Sequence, residues 1–183
     1  MSVKPKVISI AAVSGGGKTT ITKKLSLVLE DTKELFFDDY DFEDAPDDII
    51  QWVNKGADYN LWNVEPMVLD IDKIIASREV PLYILLDYPF SYMNDNMKKY
   101  IDLSIYIDTP LDVAMARRIL RNQTKSTIND VCNDVKFYLQ YGRGAYLELE
   151  NNIKPNSDIV IDGTLPSDKI VELIIQEIRY RGL

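Results

Sequence analysis

The chain has 183 residues, enough for one core and too few for two, and its 46% hydrophobic and 27% charged content is that of an ordinary globular protein. A net charge of −8, from 29 acidic against 21 basic residues, argues against a nucleic-acid or anionic-membrane surface. The one cysteine, Cys132, excludes an internal disulfide, and its mixed, helical-looking surroundings predict a half-buried structural thiol.

Val7 to Val13 is a short, mostly apolar stretch that reads as a buried parallel strand. Lys4 and Lys6 precede it, but the apolar run is too short for a signal peptide. No later stretch reaches bilayer length, so a cytoplasmic protein is expected. Ala12-Val13-Ser14-Gly15-Gly16-Gly17-Lys18-Thr19 then fits a phosphate-binding loop. Three glycines let the backbone curl with its N–H groups turned inward, where side chains would block an anion. Ile21, Leu25, Val28 and Leu29 recur at helical spacing, so a helix opens near Thr19 or Thr20 and adds unpaired N–H donors. In that cradle Ser14 to Thr20 surround the phosphates, Lys18 bridges the outer ones, and the Thr19 hydroxyl ligates Mg²⁺. A glycine-rich turn with a solvated lysine is the plainer alternative.

Four more strands are expected: Glu34–Phe37 ending at Asp38-Asp39, Leu82–Leu86 ending at Asp87, Leu103–Ile107 ending at Asp108, and Asp158–Asp162 stopping at Gly163. Helices are expected at Asp48–Asn54, about Val64–Ser77, Asn94–Tyr100, Pro110–Asn122, roughly Ile128–Glu150 and Ser167–Arg179. Thr109 is placed to cap the helix that starts with Pro110. Strands alternating with helices give an α/β fold with a parallel sheet.

Ligands of such sheets collect beyond the carboxyl ends of the strands, so Asp38, Asp39, Asp87 and Asp108 should point toward one crevice. Carboxylates opposite a phosphate loop suit Mg²⁺-dependent phosphoryl transfer, as hard ligands or as acceptors of a hydroxyl proton. Turn or cap duty is the alternative for each; Asp108, before Thr109-Pro110, reads better as a turn residue, and Asp87 as a metal or substrate group. Arg118 and Arg121, three apart on one helix, can clamp a transferring phosphoryl group, with Lys125 contributing, or form a solvated basic terminus. Among the aromatics Trp52, Tyr59, Trp62, Tyr88, Phe90 and Tyr92, those flanking Asp87 stand on the presumed ligand side, although core packing is the commoner fate.

In this order, the pieces resemble the uridine kinase-like family of phosphate-loop (P-loop) nucleoside and small-molecule kinases, over nearly the whole chain. The similarity runs through the opening loop, Phe37-Asp38-Asp39-Tyr40, the apolar strand to Asp87, Asp108–Asp112 with Arg117–Asn122, and Ser157–Gly163. It implies a three-layer α/β/α P-loop fold with a five-stranded parallel sheet, one domain over residues 1–183, and a short helical lid at about 118–130. It implies ATP and Mg²⁺, Asp38 as general base, acceptor contacts from Asp38, Tyr40, Asp87, Tyr88 and Phe90, Mg²⁺ at Thr19 and Asp87, and Arg118 and Arg121 on the phosphates. The chain departs from the family pattern in four places. Asp87-Tyr88-Pro89 replaces Glu-Gly; Thr124 to Thr127 replace a later arginine pair; no histidine exists to meet a base; and the ribose-binding aspartate has no clear counterpart, with Asp58, Asn60 and Asn63 nearby. The expected function is transfer of the ATP γ-phosphate to a hydroxyl of a nucleoside or related compound. A vitamin, sugar or antibiotic acceptor, or a nucleotide-binding switch without efficient transfer, are the alternatives. No nucleic-acid or membrane partner is expected, and the oligomeric state stays open.

Overall fold

The computed structural model describes residues 4–122 and 127–183. Strands β1 (Lys6–Ala11), β2 (Thr32–Phe36), β3 (Tyr83–Asp87), β4 (Leu103–Asp108) and β5 (Ile159–Asp162) pair in parallel, in the order β2-β3-β1-β4-β5. The central three are buried on both faces, which explains their unbroken apolar runs. Alternate residues serve opposite layers. Val7, Ala11, Ile84, Leu86 and Tyr106 pack with Trp52 of α2 (Ile49–Asn54) and Met67 and Ile71 of α3 (Glu65–Ile75). Ile8, Ile10, Leu85, Ile105 and Ile107 meet Ile21 and Leu25 of α1 (Lys18–Ser26) and Ile170, Ile174 and Ile178 of α7 (Ser167–Arg181). The result is the three-layer α/β/α arrangement expected from the sequence.

Between β3 and β4 the chain crosses from one side of β1 to the other. Ile10 of β1 lies opposite both Asp87 and Ile105, and Phe36 lies opposite Asp87. The segments that follow all these strands therefore open along one edge, at the switch point of the sheet.

After β4 come α4 (Leu111–Asn122), α5 (Ile128–Phe137) and α6 (Arg143–Glu148). The helix expected over 128–150 runs further, to Asn156, through π-helical turns at Tyr138–Gly142 and Leu149–Ile153 and a final 3-10 turn. Thr127 and Asp130 close a reciprocal capping box at its start. A third small core of Val13, Ala114, Met115, Tyr138 and Tyr146 packs this helical arm against the root of the phosphate loop.

Three expectations fail locally. Asn94–Tyr100 is a run of turns, because Asn94 captures the backbone N–H groups of Asn96 and Met97 and donates to the Tyr59 and Trp62 carbonyls. Thr109 does not cap α4; it is buried and its hydroxyl donates to the Gly16 carbonyl at 2.8 Å. Cys132 is exposed, off the face of α5 that carries Val131, Asp134 and Val135 inward.

Candidate active site

A cavity of about 1080 Å³ opens at that edge of the sheet, and every residue from Ser14 to Thr20 lines it. Gly15 and Gly17 have φ of 81° and 104°, a conformation that side chains disfavour, and Gly16 N–H closes the turn onto Val13 O at 2.8 Å. Gly17 precedes α1 with no side-chain cap, which leaves the first N–H groups of the helix free for an anion. The loop is held from behind by Thr109, and α4 presses on it so closely that a Cβ at Gly15 would fall 2.2 Å from Ala114 O.

Lys18 forms an ion pair with Asp87, whose side chain is only 3% exposed, and the Thr19 hydroxyl donates to the other carboxylate oxygen at 2.5 Å. Register explains the meeting: Asp87 ends the strand next to β1, opposite Ile10. Among the described residues no three His, Cys, Asp or Glu side chains converge as a metal cage. A hydroxyl beside one carboxylate, with phosphate oxygens and water completing the shell, is nonetheless a donor set that suits Mg²⁺.

Asp38 sits on the 3-10 turn Phe37–Asp39 that follows β2, exposed and on the cavity wall. Asp39 is exposed outside the lining, and Asp108 pairs with Lys154 at 2.5 Å, so neither joins the cluster that strand-end spacing predicts. Among the described residues, the charged side chains on the wall are Lys18, Arg117, Arg121 and Asp38. With Lys18 held by Asp87, Arg117 and Arg121 against Asp38 still leave an excess of positive charge that favours an anion.

The arginines differ from expectation. Arg121 faces the cavity, but its companion is Arg117, one full turn earlier, which donates to Gly163 O at 3.1 Å. Arg118 turns toward the helical arm, donating to Asp134 at 2.5 Å and to the Tyr146 hydroxyl at 2.9 Å. Lys125 and the rest of residues 123–126 of the expected lid lie outside the described residues.

Aromatic side chains divide sharply. Phe37, Trp52, Trp62 and Phe90 line the end of the cavity near Asp38, their ring centroids 5.1–6.3 Å apart wherever they pair. Tyr88, expected to meet substrate, is instead wholly buried against Phe37 and Phe90; its hydroxyl has no partner among the described residues, and burial raises its pKa. Tyr40 lies outside the lining and donates to Asp70 at 3.0 Å; burial and that bond raise its pKa. Tyr59 is buried and bonded to Glu148, while Tyr92 holds Asp158. Asp58, Asn60 and Asn63 serve nearby turn backbones or Asp95 and do not reach the wall.

Sequence reasoning missed the opposite end, where Gly163, Thr164, Leu165, Pro166 and Ser167 wrap from β5 into α7. The strand-end rule that found Asp87 applies equally to Gly163. Ala145, Tyr146 and Leu149 were also missed, since helical periodicity alone gives no hint that the arm faces a cavity.

No protein-family model matches the chain. Over nearly its whole length it is similar to a uridine kinase of Borrelia hermsii, with 26% identity covering 97% of this chain and 96% of that protein. A uridine kinase of a Geobacillus species is also 26% identical, over 98% and 96%. Among solved structures, a possible uridine kinase from Bacillus stearothermophilus shares the fold with a TM-score of 0.52 at 19% identity, covering 88% of this chain and 91% of that one. A protein from Eubacterium ventriosum shares it with a TM-score of 0.55 at 14% identity, over 95% and 98%. No helix among the described residues is long and apolar enough to cross a membrane.

Proposed function

Starting from a chain that is uridine kinase-like in sequence and fold, we propose an ATP- and Mg²⁺-dependent kinase that phosphorylates a hydroxyl of a nucleoside or related compound. The observation that carries this reading is the shared wall: Ser14 to Thr20 and Asp38 face one cavity, with Arg117, Arg121 and Gly163–Ser167 at one end and the aromatic cluster at the other. The first end suits the donor nucleotide and the second the acceptor. Loop amides and Lys18 hold the triphosphate, with Lys18 exchanging Asp87 for phosphate oxygen. Thr19 and Asp87 would hold Mg²⁺, which supplies neutralisation of β/γ charge.

Asp38 orients the acceptor hydroxyl and takes its proton as the oxygen bonds to the γ-phosphorus. The bond from that phosphorus to the β-bridging oxygen breaks, and ADP leaves. Arg121 and Arg117 offset charge from α4; Arg118 joins them after leaving Asp134 and Tyr146. The segment around 118–130 acts as the lid whose closure excludes water, which would otherwise compete with the alcohol.

Asp38→Asn tests this directly, because the amide keeps the shape but loses the basic oxygen. ATP affinity should stay within about twofold while acceptor-dependent ADP release falls by about 10²-fold or more. Undiminished turnover in that variant removes Asp38 as the base.

A further inference from the structure

The relatives' names invite a nucleoside, but the described side chains at the acceptor end of the cavity offer few groups to read a polar base. Its wall is made of Phe37, Ile49, Trp52, Trp62, Phe90 and Leu149, and among the described residues Asp38 is the only charged side chain there. In this conformation the Tyr146 hydroxyl accepts from Arg118, the Trp52 indole N–H donates to the Asp58 carbonyl, and the Trp62 indole N–H is buried, with no partner among the described residues. The chain has no histidine to offer an imidazole. The aromatic rings brace one another at edge-on and tilted angles of 47–86°, which fixes their faces and edges without help from a ligand.

Resting on the kinase reading above, we infer that this compartment recognises a flat ring with an apolar edge by aromatic and aliphatic contact, the phosphorylated alcohol being carried beside it at Asp38. A uracil ring would bring two carbonyls and an N–H to a wall whose described side chains, Asp38 and the Tyr146 hydroxyl apart, have none free to pair them. Each buried group left unpaired weakens binding by about tenfold or more. A site built to read those groups behaves oppositely, rejecting an analogue that lacks them by about 10⁴–10⁵-fold. The two designs therefore predict opposite orders of preference for the same pair of compounds.

That pair is uridine and its phenyl C-riboside, which share the sugar and its hydroxyls and differ in the ring edge. The chain has two tryptophans, Trp52 and Trp62, and both line this compartment, so their fluorescence reports occupancy without requiring transfer. With the full chain, ATP and Mg²⁺, the phenyl riboside should titrate the emission at least about tenfold more tightly than uridine. Its kcat/KM for ADP release should be higher by a similar factor. Tighter or equal binding of uridine overturns the inference, as does a lack of response to either riboside. Faster ADP release with uridine overturns it while leaving the kinase reading intact. The expected binding order with no ADP release from either compound supports the compartment's chemistry and removes the kinase reading instead.

Discussion

At the proposed donor end of the cavity the groups placed to grip an anion belong mainly to the backbone of one contiguous stretch, Val13 to Thr20, tied from behind by Thr109 and pressed by α4. At the acceptor end the wall is side chains drawn from the turns after β2 and β3, from α2 and its neighbourhood, and from the arm after α5. The first construction has little freedom, since main-chain amides in a glycine turn have few ways to be rearranged. The second depends on rings that pack on one another, and such surfaces accept substitution of shape more readily than loss of a backbone path. On the kinase reading, a site so built keeps its chemistry fixed and leaves its acceptor open to change.

The largest effect should come from a single methyl group at the tightest point. Gly15→Ala places a Cβ 2.2 Å from Ala114 O in a residue with φ of 81°, and both obstacles are backbone. The loop or α4 must shift, costing about 2–3 kcal/mol, which lowers Tm by roughly 4–12 °C. Displacing the phosphate cradle by a fraction of an ångström should also cut turnover about 10²-fold. Thermal melts and steady-state rates check both; a variant that melts and works like the parent would break the contrast between a rigid end and an adaptable one.

Thr109→Val should produce a smaller and more selective change. Valine keeps the branched shape, but the Gly16 carbonyl loses the Thr109 hydroxyl as donor in a buried setting. The expected cost is about 1–2 kcal/mol, or roughly 2–8 °C in Tm. KM for ATP should rise several-fold while KM for the acceptor stays within about twofold. Equal rises in both constants would mean that the two ends are mechanically coupled and that the division drawn above is wrong.

The same division accounts for what could be read in the sequence. The order of strands and helices, and the loop from Ala12 to Thr19, follow from local patterns: apolar runs, glycines and helical spacing. Asp87 was visible because strand ends in parallel sheets share an edge. The acceptor wall was not, since Phe37, Ile49 and Leu149 are ordinary apolar residues until the chain folds them around a common space. Tyr88 illustrates the converse, a residue beside Asp87 whose side chain the strand's alternation sends into the core. Arg118 and Arg121 share a face by spacing, yet a partner on another helix, Asp134, decides which of them meets the cavity.

That partner supplies the mildest test. The Arg118–Asp134 pair is roughly a quarter exposed on each side, so solvent screening limits its contribution to about 1 kcal/mol or less. Asp134→Asn should therefore shift Tm by only a few degrees at most. If Arg118 works on the phosphates after release, neutralising Asp134 removes a competitor for the guanidinium, and turnover should hold or rise by up to about threefold. Arg118→Ala should then lower turnover about tenfold or more through the lost charge at the transition state. A purely structural Arg118 gives another pattern: both variants lose stability in step, and neither changes turnover at temperatures where the fold is intact. Measuring the two variants side by side thus separates an arginine that waits beside the arm from one that only fastens it.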